Sequence, residues 1–199
     1  MKWTILFISA LCAGVPIGVW AQDSLNCTLA IDQIDEFDST RLVVAQPVTT
    51  GILIPTKNLS EELDGPTFTD EAKILVSWAE GTDSIQSFFI TIVTPEYEYM
   101  KTEDGYHVFF KLDDGTYIKV WNVAHRAEYN RSLLMWMYYH TCIIPPSTFH
   151  MLRSARIEKI RINYPTLKKT LNLTGHAQAE LHRALMCVWQ AVRGKGEKP

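Results

Sequence analysis

The sequence predicts an α+β fold: a largely antiparallel sheet, a short helix before the last hairpin, and a C-terminal helix packed on the sheet. Three observations carry this expectation. Short runs rich in β-branched and aromatic residues, separated by polar corners, recur through the first two thirds of the chain. The stretch PPSTFHMLRSA (145–155) breaks that pattern with two prolines and with Phe149 and Leu152 three apart. Near the end, Leu181, Ala184, Leu185, Val188 and Val192 recur at three- and four-residue spacing, which draws one apolar stripe along a helix.

The elements follow in order. Residues 1–21 carry a single basic residue, Lys2, then an apolar run, then the small residues Val19 and Ala21 just before Gln22. This is the pattern of a signal peptide cleaved after Ala21, and Pro16 with two glycines interrupts the run too early for a membrane helix. Leu11 is too bulky for the position before a lipid-attachment cysteine, so Cys12 is not read as lipidated. Removing the segment makes the formal net charge of −3 one unit more negative. The expected product is a single α+β domain over 22–192 with a flexible tail, 193–199, secreted or periplasmic, with no transmembrane helix. Its charge balance offers no footprint for nucleic acid, and the only basic cluster in the linear sequence is the tail RGKGEKP.

TLAIDQI (28–34) and TRLVVAQ (40–46) read as two strands about the corner DEFDS, with Phe37 expected to fold back into the core. The stretch 47–71 has three prolines, two glycines and little periodicity, so it reads as a loop suited to a mobile or binding element. AKILVSWA (72–79) and IQSFFITIVT (85–94) alternate as strands of a sheet with one buried face. YHVFFKL and TYIKVWNV flank Asp113, Asp114 and Gly115. Asp-Gly is a strong signal for a two-residue type I′ hairpin, predicting Leu112 opposite Tyr117 and making the paired carboxylates a corner rather than a site. LLMWMYYHTCII (133–144) is apolar on both alternating faces and predicts an interior strand covered on both sides. Ser147 is the expected cap of the short helix, and RIEKIRINY with TLKKTLNL forms the last hairpin.

Candidate chemistry is sparse. Asp32, Asp35, Glu36 and Asp38 lack the alternating donors and following glycine of a calcium loop, so they read as a solvated turn. His140 and Cys142 share a strand face, but apolar surroundings raise a thiol's pKa and leave it inert, which argues against a catalytic dyad. The remaining histidines show no metal-ligand spacing, and the chain carries no nucleophile elbow, phosphate loop or dinucleotide fingerprint. No catalytic, cofactor-binding or metal residue is assigned. The strand aromatics Trp78, Phe88, Phe89, Phe109, Phe110, Trp121, Trp136 and Tyr138 are expected to pack the core rather than to stack on sugars. Four Asn residues, Asn26, Asn58, Asn130 and Asn172, sit in N-x-S/T triplets, which matter only in a eukaryotic host.

Cleavage leaves Cys27, Cys142 and Cys187, an odd count in a compartment that permits disulfides. Cys27 opens the first strand and Cys187 borders the stripe of the last helix, so the expected bond is Cys27–Cys187 with Cys142 free. Three unpaired buried thiols are the alternative, because connectivity does not follow from sequence.

A cysteine-bearing first strand leading to DEFD, the KLDDGTYIKV hairpin, IPPSTFHMLRSARIEKIRI and a final helix with a cysteine together resemble small exported bacterial proteins of the Bacteroidota type, of unassigned function. The resemblance is strongest from Cys142 to Cys187 and implies export and an α+β architecture, with no site residue to carry over. The expected function is an exported, non-enzymatic module binding a protein or cell-envelope component. Its rivals are an extracellular hydrolase whose site is assembled from distant strands, and a small-molecule carrier.

Overall fold

The structure, a computed structural model, describes residues 27–55, 69–81 and 85–193. The expected signal peptide with Cys12, the middle of the expected loop (56–68) and nearly all of the expected tail (194–199) lie outside them. Among the described residues, eleven strands and two helices follow in chain order: β1 Leu29–Ile34, β2 Arg41–Ala45, β3 Val48–Pro55, β4 Thr69–Glu80, β5 Gln86–Glu96, β6 Gly105–Leu112, β7 Tyr117–Ala124, β8 Glu128–Asn130, β9 Met135–Ile144, α1 Pro146–Ser154, β10 Ile157–Asn163, β11 Lys168–Asn172 and α2 Gly175–Arg193. The strands form one sheet in the order β1-β2-β4-β5-β9-β7-β6-β10-β11, with β3 pairing on β4 and β8 on β9. The strand pairings among the described residues are antiparallel. The fold is therefore mostly antiparallel sheet with two helices, richer in sheet than the plain α+β expectation.

Alternation decides the two faces. In register, Ile74, Val76 and Trp78 of β4 oppose Ile92, Ile90 and Phe88 of β5, and all are buried. The same face continues through Tyr138, His140, Cys142 and Ile144 of β9, Ile118 and Val120 of β7, Val108 and Phe110 of β6, and Ile160 and Ile162 of β10. Leu181, Leu185 and Val188 of α2 meet this surface as the stripe requires. α2 touches β2, β3 and β4 at one side of the sheet and β10 at the other, and β11 approaches β3, so the sheet curls around the helix. Each large aliphatic side chain enclosed there contributes about 1.5–3 kcal/mol.

The helix is fastened at both ends. Thr174 caps its start, its hydroxyl accepting from Ala177 N–H at 3.2 Å. At its far end the Arg41 guanidinium donates to Ala191 C=O at 3.1 Å while pairing with Asp32 at 3.0 Å and lying over Trp78. One buried cation thus joins β1, β2, β4 and the negative end of the helix dipole.

Several expectations change. The expected loop 47–71 is instead occupied at both ends by β3 and the start of β4, where Leu53 pairs with Glu71; Gln46 and Pro47 alone separate β3 from β2. The short strand β8 was not expected at all. α1 begins with Pro145 at its cap position and Pro146 in its first turn, not with Ser147 as cap, because a fixed φ and missing N–H suit proline to a helix start. Phe37 does not fold back: it is 99 % exposed. Asp35 Oδ1 accepts from Phe37 N–H at 2.8 Å, and Asp35 N–H donates to Thr40 C=O, which holds Phe37 at the tip of the β1–β2 turn beyond the sheet. β9 is not covered on both sides, since Met137, Tyr139, Thr141 and Ile143 on its outer face are half-buried or exposed.

Candidate functional site

Two neighbouring features of the sheet gather polar chemistry. The first is a groove of about 260 Å³ on the outer face, floored by Phe109 and rimmed by Tyr117, with Lys111, Lys159, Arg161, Asn163, Lys168 and Thr170 around it. Strand register assembles it. Lys111 of β6 sits opposite both Tyr117 of β7 and Lys159 of β10, Phe109 sits opposite Lys119 and Arg161, and Arg161 opposite Thr170 of β11. Because side chains at i and i+2 share a face, these rows form one continuous patch on the side away from α2.

Its charge is unbalanced. Glu158, brought round by the bulge between Ile157 and Lys159, pairs with Lys111 at 2.7 Å and with Lys159 at 3.6 Å, and Lys111 holds its carboxyl below the usual range. Lys119 lies over the rings of Tyr106 and Phe109, Arg161 donates to Thr170 Oγ1 at 3.2 Å, and Lys168 is exposed. No carboxylate lines the groove itself among the described residues. The expectation that the tail holds the only basic cluster is therefore corrected: the strands gather a second one from residues up to 57 positions apart, Lys111 to Lys168, which no linear scan displays. Trp121 is 41 % exposed and stacks edge-on with Tyr106, so the expectation that the strand aromatics all serve the core holds for Trp78, Phe88, Phe110, Tyr138 and the partly buried Trp136, but not for Trp121, for Phe109 in the groove or for Phe89, which is not among the core residues.

The second feature is a cavity of about 220 Å³ at the sheet end where β6, β7, β9 and the β10–β11 turn converge. His140 and Asn122, each 2 % exposed, and Tyr164 form its buried side, and Ile162 and Pro165 add apolar wall. His140 Nε2 and Tyr164 Oη lie 2.9 Å apart, and Tyr164 Oη lies 3.4 Å from Thr94 Oγ1. Burial draws the His140 pKa down to about 4, helped by the charges of His125 and Lys169, so the ring is neutral near pH 7. Burial likewise pushes the Tyr164 hydroxyl up. At the mouth, Gly105 at φ +137° lets the chain pass against His107; a Cβ there would fall 2.9 Å from His107 Nε2.

The residues singled out from sequence fall elsewhere. Cys27 and Cys187 meet at disulfide distance, with Cα atoms 5.3 Å apart, and Cys142 is a buried free thiol whose pKa burial raises. His140 and Cys142 share a face as expected, but the imidazole engages Tyr164. Asp32 pairs with Arg41, while Asp35 and Asp38 accept hydrogen bonds from backbone N–H groups of their own turn. Asp113 and Asp114 form a corner, though not the expected one. Leu112 C=O accepts from Gly115 N–H and Leu112 N–H donates to Thr116 C=O, so Tyr117 faces Lys111 rather than Leu112. The loop has three residues, with positive φ at Gly115 alone, as in a type I turn closed by a glycine bulge.

Among the described residues no helix is long and apolar enough to cross a membrane. Comparison with known proteins finds no family model, no curated protein and no solved structure that matches this chain.

Proposed function

We propose that this protein is an exported, non-enzymatic binding module whose outer sheet face recognises an anionic polysaccharide of an envelope or matrix. The observation that carries the reading is the groove itself: Lys111, Lys159, Arg161 and Lys168 surround an aromatic floor, a surplus of positive charge even with Glu158 paired to Lys111 and Lys159, on a chain whose net charge is −3. A patch of opposite sign to the whole molecule acts at short range, on a ligand that lies in it, rather than by long-range attraction. Cations beside the exposed Tyr117 ring and the half-buried Phe109 ring suit a sugar polymer, whose C–H faces stack on the aromatic surface while its sulfate or carboxylate groups meet Lys and Arg. The Cys27–Cys187 pair fits an oxidising compartment, and the composition of residues 1–21 supplies the export reading. A hydrolase is less well supported, because His140 is kept neutral and engaged with a hydroxyl that is itself held protonated, and the nearby thiol is inert.

Retention on immobilised dextran sulfate against neutral dextran tests the reading. The protein should be held by the sulfated polymer at low ionic strength and released as salt rises. The double charge reversal Arg161→Glu and Lys168→Glu, at exposed positions, should weaken binding at least tenfold. Equal behaviour on the two polymers, or an unaffected double variant, overturns the proposal. Stronger binding to vesicles of anionic phospholipid would replace it with a membrane-surface reading.

A further inference from the structure

The cavity beside the groove has a chemistry of its own. Its deepest groups are not all satisfied within the protein. Asn122 is 2 % exposed, yet its Oδ1 has no hydrogen-bond partner among the described residues, and the same holds for Oδ1 of Asn163 at the cavity's edge. A buried amide oxygen left unpaired is destabilising, and because each of these oxygens is itself enclosed, rotation of the amide is what presents its donor or its acceptor end to a ligand. An isosteric apolar residue would avoid that cost, as Val120 does two positions earlier on the same strand face.

Charge narrows the class of ligand. The cavity's ammonium and carboxylate groups, Lys101 and Glu103, pair with each other at 2.9 Å, so neither is left to hold an ion. Thr102 is engaged with His125 C=O. What remains at the buried end is two amides, the Tyr164 hydroxyl and the imidazole bonded to it, set against the apolar edge of Ile162 and Pro165, with His107 at the mouth. A volume of 220 Å³ corresponds to about seven waters, or to one small saturated ring. An aliphatic ligand would leave the amides orphaned, and an ion seated against them at the buried end would meet no charged partner. We propose that this cavity is a binding site for one neutral, hydroxyl-rich ring, a hexose or cyclitol, whose O–H groups pair with Asn122 and Asn163 while its C–H face lies on Ile162 and Pro165. The proposal shares Asn163 with the outer-face groove but is carried by Asn122, which lines the cavity and not the groove, so it stands if that reading fails.

Side-chain NMR and calorimetric titration with D-glucose, D-galactose, D-mannose and myo-inositol, with methylammonium and inorganic phosphate as charged comparators, provide the test. At least one neutral probe should bind saturably and shift the Asn122 amide and His140 ring signals, while the charged comparators do not. Asn122→Leu should lower affinity for that probe at least tenfold while leaving the thermal midpoint unchanged or higher, because it removes an unpaired buried oxygen. Tyr164→Phe, which loses only the hydroxyl, should weaken binding in the same direction if the leucine variant does not fold. The proposal is overturned if no neutral probe binds at its solubility limit, which marks a water-filled void, or if a charged comparator binds better. It also fails if Asn122→Leu binds as wild type does, or if that variant folds with a lowered midpoint, which would make Asn122 a structural partner.

Discussion

His140 is enclosed between Ile92 and Ala124 on the paired strands and the Tyr164 hydroxyl, and burial lowers its pKa from 6.5 to about 4. The unfolded chain returns it to its ordinary value near 6.5. Between those two values the unfolded chain takes up a proton that the native state refuses, so stability rises with pH across this window. The contribution is whole above pH 6.5, falls as pH drops toward 4, and stops falling once the native ring also protonates. Its full size is on the order of 3 kcal/mol. Urea unfolding of the wild type and of His140→Gln at pH 7 and pH 4.5 measures it: the wild type should lose more stability on acidification, by about 2 kcal/mol or more. Equal losses in the two proteins would mean that the ring is not a neutral buried base.

At the scale of the element, the β6–β7 hairpin separates what local sequence dictates from what the fold decides. Gly115 has φ +87°, and a Cβ built there meets nothing within 4 Å, so a substitution is opposed by the backbone alone. Gly115→Val should cost about 1 kcal/mol or more, read as a lowered urea midpoint with unchanged slope. Gly175, at the start of α2, also has open space but no positive φ, so Gly175→Ala should be neutral or slightly stabilising. Matching losses at the two glycines would refute the backbone account. That a turn lies here was legible, because Asp-Gly between alternating runs has few other readings. Its register was not. Asp113 exchanges hydrogen bonds with Arg156, N–H to C=O at 2.9 Å and N–H to Oδ1 at 3.1 Å, and that contact 43 residues away accompanies the three-residue loop. The cationic groove follows the same logic. FKL, YIKV and KIRIN each show a cation alternating with core residues, but that β6 lies beside β10 is a fact of topology that no single strand encodes. Asn122 and Tyr164 gave no signal either, since a polar residue in an apolar strand becomes informative only once its neighbours across the sheet are known.

For the molecule as a whole, the curled sheet leaves the two ends of the described chain on different elements, Cys27 just before β1 at the sheet edge and Cys187 inside α2, and the sulfurs join them across 160 residues. The bond and the Arg41 contact act on the same seam: one is covalent at Cys187, the other holds Ala191 a turn later. Without the covalent link, α2 is kept against β2, β3 and β4 by its apolar stripe and by that guanidinium, which together preserve the native packing. The disulfide should therefore act mainly on the unfolded chain, by forbidding conformations in which the ends separate. For a loop of this length the chain-entropy model gives about 5 kcal/mol. A Cys27→Ala, Cys187→Ala double variant should fold to the same structure with a stability loss approaching that size, and its urea slope should increase because its unfolded state is more expanded. Both signs matter. A loss with unchanged slope and altered amide signals along β1 and α2 would place the effect in the native packing instead. A free Cys27 thiol in folded, air-oxidised protein would remove the bond, and with it the support the disulfide gives to an oxidising compartment.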